Sequence, residues 1–154
     1  GVPIDTTMGF SPLGGLIMSS RPGDLDPGVL LYLLERGHVG TADLRDMLER
    51  RSGLRAISGG EGDLRQLGER SDAAAAFAVE MFVRSASKAI AALAAVLGGL
   101  EMLVFTGGIG EHNDAVRNAI AARTAFFNRE MDVRVVKSDE NRAIARRVWS
   151  LVRS

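Results

Sequence analysis

Between Ser71 and Leu97 the apolar positions Val79, Val83, Ala86, Ile90, Leu93 and Leu97 step by four and by three, the recurrence of one face of an α-helix. The spacing predicts a single long helix. Its remaining positions are rich in alanine, so neighbouring backbones can come close, and Gly98 and Gly99 stand where a cap would end it. Such a helix is expected to lie buried between neighbours. Upstream, "DLDPGVLLYLLERG" carries helix punctuation: Asp26 to cap, Pro27 at the first helical position, Gly37 just past the end. A shorter helix fits 42 to 51, with Thr41 before it and Gly53 after it. From 53 to 70 the chain turns glycine-rich and polar, "GLRAISGGEGDLRQLGER", and reads as a loop.

Beyond the long helix the periodicity changes. "EMLVF" reads as a strand, "TGGIGEH" as a glycine loop, 114 to 125 as a helix, "VRVV" as a second strand and "SDENRAIARRVWSLV" as a last helix. Strands joined through a helix of this length pair in parallel with a right-handed crossover, so the loops after both strands emerge at one edge of the sheet. In open parallel sheets that edge is where ligands bind. The topology thus brings two acids together, Glu111 after the first strand and Glu140 after the second.

Composition narrows the picture to a soluble α/β domain. Apolar residues make up 46% and charged residues 25% of 154 residues, enough for one domain with a real core and too little for two. Nineteen basic and nineteen acidic side chains cancel, so no overall field draws the chain to nucleic acid or an anionic membrane. Arg142, Arg146, Arg147 and Arg153 fall on one predicted helix and read as a solvated face. The absence of cysteine suits a reducing compartment, and the longest apolar run, "AIAALAAVL", is half a membrane span. The first ten residues carry no secretory pattern and no starting Met, and look like a cut edge.

Several residues could carry chemistry, and each has a plain structural alternative. The glycine loop after Phe105 can present backbone N–H groups to an anion, or can simply turn the chain. It has neither the G-x-G-x-x-G spacing nor the Lys and Ser or Thr of a P-loop. Arg21 can pair with Asp24 or Asp26, or can offer a planar fork to phosphoryl oxygens. Asp63 can cap a turn, with Arg65 beside it. Glu140 can cap a helix or supply an oxygen to Mg²⁺. His38 and His112 have no partner at metal-ligand spacing and are assigned to no metal.

These fragments become specific in combination. "DTTMGFSPLGGLIMSSRPGDLDPGVLLYLLERG", "SGLRAISGGEGDLRQL", "VFTGGIGEHNDAVRNAI" and "SDENRAIAR" occur in the order and near the spacing of acetate kinases, and the chain resembles that family almost throughout. The resemblance implies an α/β fold of the actin-like ATPase (ribonuclease H-like) type, in the superfamily of sugar kinases, heat-shock chaperones and actin. The chain would be the C-terminal half, shortened, of a two-domain kinase that closes over ATP. Also implied are reversible, Mg²⁺-dependent phosphoryl transfer between ATP and acetate, giving ADP and acetyl phosphate, and a cytoplasmic homodimer with no nucleic-acid or membrane partner. By motif, Arg21 matches the arginine on the transferring phosphoryl group, Asp63, Leu64 and Arg65 the adenosine-side loop, Gly108, Ile109, Gly110, Glu111 and His112 a second nucleotide loop, and Glu140 the glutamate associated with Mg²⁺.

The sequence departs from the family pattern in four places. The N-terminal domain, with a phosphate-transfer aspartate and a substrate-side arginine, is absent, and so is the phosphate loop expected before Asp5, so this piece alone should not catalyse. The stretch between Phe127 and Val133 is shorter than the family's by the order of a small helix and strand. His112 stands where Asn is usual, and "SDEN" replaces a pair of glutamates. A propionate kinase would read nearly the same. The rival from another class is a non-catalytic dimerisation or nucleotide-binding module packing through the long helix.

Overall fold

The computed structural model describes residues 2–152, except the side chains of Glu140, Asn141, Ala143, Arg147 and Ser150. Residues 2–26 run without regular structure, followed by helices α1 (Pro27–Glu35) and α2 (Thr41–Arg50). Asp26 caps α1 by accepting the Gly28 amide at 2.8 Å, with Pro27 at the first helical position. In α2, Thr41 is the first helical residue and Gly40 takes the cap position.

The stretch 53–70 is irregular only at 59–63 and at Arg70. It forms two one-and-a-half-turn helices, α3 (Gly53–Ser58) and α4 (Leu64–Glu69). Local propensity there is poor, and burial overrides it: Leu54, Leu64 and Leu67 are 1–2% exposed, packed against the long helix α5 (Ala73–Leu97). Each such side chain contributes about 1.5–3 kcal/mol when fully buried. Asp63 starts α4 by accepting the Arg65 amide at 2.9 Å, and Asp72 starts α5 by accepting that of Ala75 at 3.0 Å.

Helix α5 is the spine of the fold. On it lie α3, α4 and α7 (Asp114–Thr124). Its buried line is Ala75, Ala78, Phe82, Val83 and Ala86, with Val79 and Ile90 half-buried beside it, whereas Leu97 is 60% exposed. The predicted face is thus buried or half-buried from Val79 to Leu93, extends back to Ala75, Ala78 and Phe82, and stops short of Leu97. Glu80 pairs with Arg123 at 2.6 Å, tying α5 to α7.

Strands β1 (Met102–Phe105) and β2 (Asp132–Val135) pair in parallel, Met102 opposite Asp132 and Phe105 opposite Val135, within one residue of the predicted limits. Among the described residues they form a two-stranded sheet. Leu103 and Phe105 pack from β1 onto the core cluster. The glycine loop after β1 is itself helical, α6 (Gly107–His112). Two turns over 125–131, closed by Phe127 N–H to Thr124 O and Met131 N–H to Asn128 O, lead from α7 to β2. Helix α8 (Glu140–Val152) follows; Arg142 and Arg146 on it are exposed, while the Arg147 side chain and Arg153 lie outside the described residues. No helix among the described residues is long and apolar enough to cross a membrane.

Candidate functional site

Arg21 sits in a turn that is bound to the start of α3 by main chain. Met18 N–H donates to Arg21 O at 3.0 Å, Leu54 N–H to Met18 O at 2.9 Å, Arg55 N–H to Ser19 O at 2.9 Å and Ser52 N–H to Ser20 O at 3.1 Å. Gly53 makes this docking possible. Its φ is +67°, and a Cβ there would stand 2.2 Å from Met18 O and 2.6 Å from Arg21 O. The Arg21 guanidinium, half-buried, touches the Met18 sulfur at 3.9 Å and makes no ion pair among the described residues. Its two expected acidic partners are engaged elsewhere: Asp24 accepts the Gly15 amide at 2.6 Å, and Asp26 caps α1.

The two motif segments 63–65 and 108–112 are brought together. Asp63, Leu64 and Arg65 at the start of α4 face Gly108, Ile109 and His112 of α6 across a cleft of about 510 Å³, with Ser19, from the Arg21 turn, and Arg55 on its wall. Asp63 is both a cap and an ion-pair partner, with Arg65 Nη2 at 3.2 Å. The Arg65 amide, and then its guanidinium, hold the Asp63 carboxyl below the usual carboxylate range. Glu61 Oε1 accepts the amides of Gly62 and Asp63 at 2.6 and 2.7 Å, fixing the approach to α4. Arg55 has no carboxylate partner among the described residues, leaving a cation on the wall for an anionic ligand.

Glycine serves two different ends in α6. At Gly108 an added Cβ would meet nothing within 4 Å, so the main chain there is open to a ligand. At Gly110 it would meet Phe105 carbon atoms at 3.2–3.5 Å, so that position is restricted by packing on β1 as well. Arg117 Nη1 holds Gly110 O at 2.9 Å from α7, and His112 Nδ1 lies 3.1 Å from Gly108 O.

The Glu111 carboxylate turns away from the cleft. Its Oε1 accepts the amides of Gly107 at 2.9 Å and Ser138 at 2.7 Å, and the bonds from Ser138 lower its pKa first, that from Gly107 next. The loops after β1 and β2 therefore meet at one sheet edge, as the parallel pairing requires. Glu140 opens α8 two residues past Ser138, but its side chain lies outside the described residues. Among the described residues no group of three His, Cys, Asp or Glu could hold a metal ion.

Sequence reasoning missed Arg55, Ser19, Arg117 and the Glu111–Ser138 link. Arg55, Ser19 and Arg117 all lie inside the motif stretches. The link depends on residues brought close only by folding.

The family model described as the acetokinase family matches residues 1–151. An acetate kinase of Rhodopseudomonas palustris is 40% identical over 169 aligned residues, covering 96% of this chain and 42% of that protein. Among solved structures, an acetate kinase of Porphyromonas gingivalis superposes with a TM-score of 0.85 at 30% identity, over 95% of this chain and 43% of that one. A propionate kinase of Francisella tularensis gives 0.82 at 29% identity, over 89% and 41%. The fold is thus α/β, of the actin-like ATPase type. The chain belongs to the acetokinase family, and spans about two fifths of the length of the relatives it matches.

Proposed function

We propose that this chain is the C-terminal nucleotide-binding domain of a cytoplasmic, homodimeric acetate kinase, which transfers the γ-phosphoryl group between ATP and acetate. The observation that carries the reading is that two segments 45 residues apart, at Asp63 and Gly108, line one cleft whose wall includes the turn bearing Arg21. Segments 63–65 and 108–112 hold the nucleotide: Gly108 admits it closely, Arg55 and Arg65 supply cations, and Glu111 contributes through the loop backbone. Arg21, with no acidic partner among the described residues, meets the transferring phosphoryl group with a planar fork.

The cation this reading implies is Mg²⁺ carried in on the nucleotide. No three-ligand cluster is needed for that ion, which takes one or two carboxylates and keeps waters and phosphate oxygens. Glu140 would hold it, directly or through water. When bound, the ion offsets charge on the phosphoryl oxygens. The likeness to a propionate kinase makes propionate the second substrate to test.

The test is kinetic, on the full-length enzyme. Arg21→Lys keeps the charge and loses the fork, so kcat for acetyl phosphate formation should fall roughly 10²-fold or more with a smaller change in KM for ATP. The melting temperature should stay near wild type. Near-normal kcat in the lysine variant would remove Arg21 from the chemistry, and residues 1–154 alone should give no turnover.

A further inference from the structure

We infer that Glu111 is a positioning residue: its carboxylate locks the loop after β1 to the loop after β2, and so fixes where Glu140 stands relative to the nucleotide segment 108–110. The role rests on the kinase reading above; the link itself does not.

The sheet ladder ends with Val136 N–H donating to Phe105 O at 2.8 Å. Past that bond the two chains separate, one into α6 and the other toward α8. Ser138 joins them again: its N–H donates to Glu111 Oε1 at 2.7 Å, across 27 residues of sequence, and its side chain bonds the same carboxylate. The same oxygen accepts Gly107 N–H at the start of α6. One side chain therefore fixes the first residue of one loop and the residue two before Glu140 in the other.

The chemistry suits a clasp better than a ligand. A bare carboxylate beside a polyphosphate would repel it, and here the charge is engaged on the protein's own side by the amides of Gly107 and Ser138 and by the Ser138 side chain. An ionised acceptor makes these bonds about twice as strong as neutral ones. Arg117 restrains the same helix from the opposite side through Gly110 O, so α6 is held to α7 by one bond and to the β2–α8 connection by the other.

Glu111→Gln keeps an acceptor of the same shape, and Glu111→Ala removes it. Amide hydrogen exchange should be followed at Gly107 and Ser138 in the nucleotide-free full-length protein. Exchange should quicken at least about tenfold at both amides in the alanine variant, and less in the glutamine variant. In kinetics, the Mg²⁺ concentration for half-maximal rate should rise, or kcat fall, by roughly 10- to 100-fold in the alanine variant, with glutamine partly rescuing. KM for acetate should change little.

Unaltered exchange at Ser138 would overturn the clasp. Faster exchange with wild-type Mg²⁺ dependence and kcat would overturn the positioning role. A wild-type enzyme that neither binds ATP nor transfers phosphoryl would refute the kinase reading and the positioning role together, while the exchange result would still report on the clasp.

Discussion

Replacing Gly53 by alanine adds one methyl group at the point where α3 meets the Arg21 turn, and the surrounding backbone leaves no room for it. The residue has φ of +67°, which costs a non-glycine residue about 1–2 kcal/mol. The new Cβ would stand 2.2 Å from Met18 O, 2.6 Å from Arg21 O and 2.8 Å from Arg21 N. All three are backbone atoms, so no side chain can swing aside. Restoring ordinary contact moves the turn by roughly 1 Å, against several main-chain bonds worth about 1 kcal/mol each. The sum is about 3–5 kcal/mol, or on the order of 10 °C in melting temperature for a unit of this size. Activity should fall further, since a misplacement of about 1 Å can cost on the order of 10² in rate. Gly59→Ala is the matched control: its φ is +79° and an added Cβ meets nothing within 4 Å, so it carries the backbone cost without the collision. Melting curves and kcat of both full-length variants test the reasoning. If Gly53→Ala and Gly59→Ala lose equal stability and equal activity, the collision does not govern the site and the docking of Arg21 on α3 has been misread.

Gly108→Ala should leave the melting temperature within about 1 °C of wild type, because an added Cβ meets no protein atom, yet raise KM for ATP several-fold; an unchanged KM would take Gly108 off the ligand's path. Acid should weaken the fold. Asp63, Asp72, Glu80 and Glu111 all have pKa values lowered in the folded chain, by hydrogen bonds and by arginine partners. In the range between the lowered and ordinary carboxylate values the unfolded chain binds more protons, so the stability these groups give is complete above the ordinary range and is lost as pH falls through the lowered values. Urea midpoints measured across that range should drop on acidification, with a shallower drop in Asp72→Asn; a flat profile in wild type refutes the pairing.

Punctuation was readable wherever one residue decides a local conformation. Asp26 and Pro27 start α1, and Gly98 ends α5, because caps act over a single turn. The β1–α7–β2 order and its parallel pairing were likewise carried by periodicity and length. The helices α3 and α4 were hidden because they are only six residues each, divided by the non-helical "GGEG", and are held by burial of Leu54, Leu64 and Leu67; α6 was hidden because "GGIG" opposes helix formation locally, and tethering by Glu111 and Arg117 overrides it. The cleft itself was legible only as two separate motifs. That Arg55 joins their wall, and that Glu111 serves the backbone, depends on distances no spacing rule contains.

Helix α5 has a consequence for how such a chain can change. One wall of the cleft, at Asp63, is built before its 25 residues begin, and the other, at Gly108, after they end. Each residue of an α-helix advances about 1.5 Å and turns about 100°. A single inserted residue within α5 would rotate everything downstream by a quarter turn or more against α3 and α4, and even a four-residue insertion, which nearly restores the angle, would slide one wall past the other by about 6 Å. Exposed positions such as Ala73, Ala74 and Ala76 can change identity, but the number of residues within α5 cannot. Gains and losses of chain are expected in the turns, while α5 acts as a spacer of fixed phase.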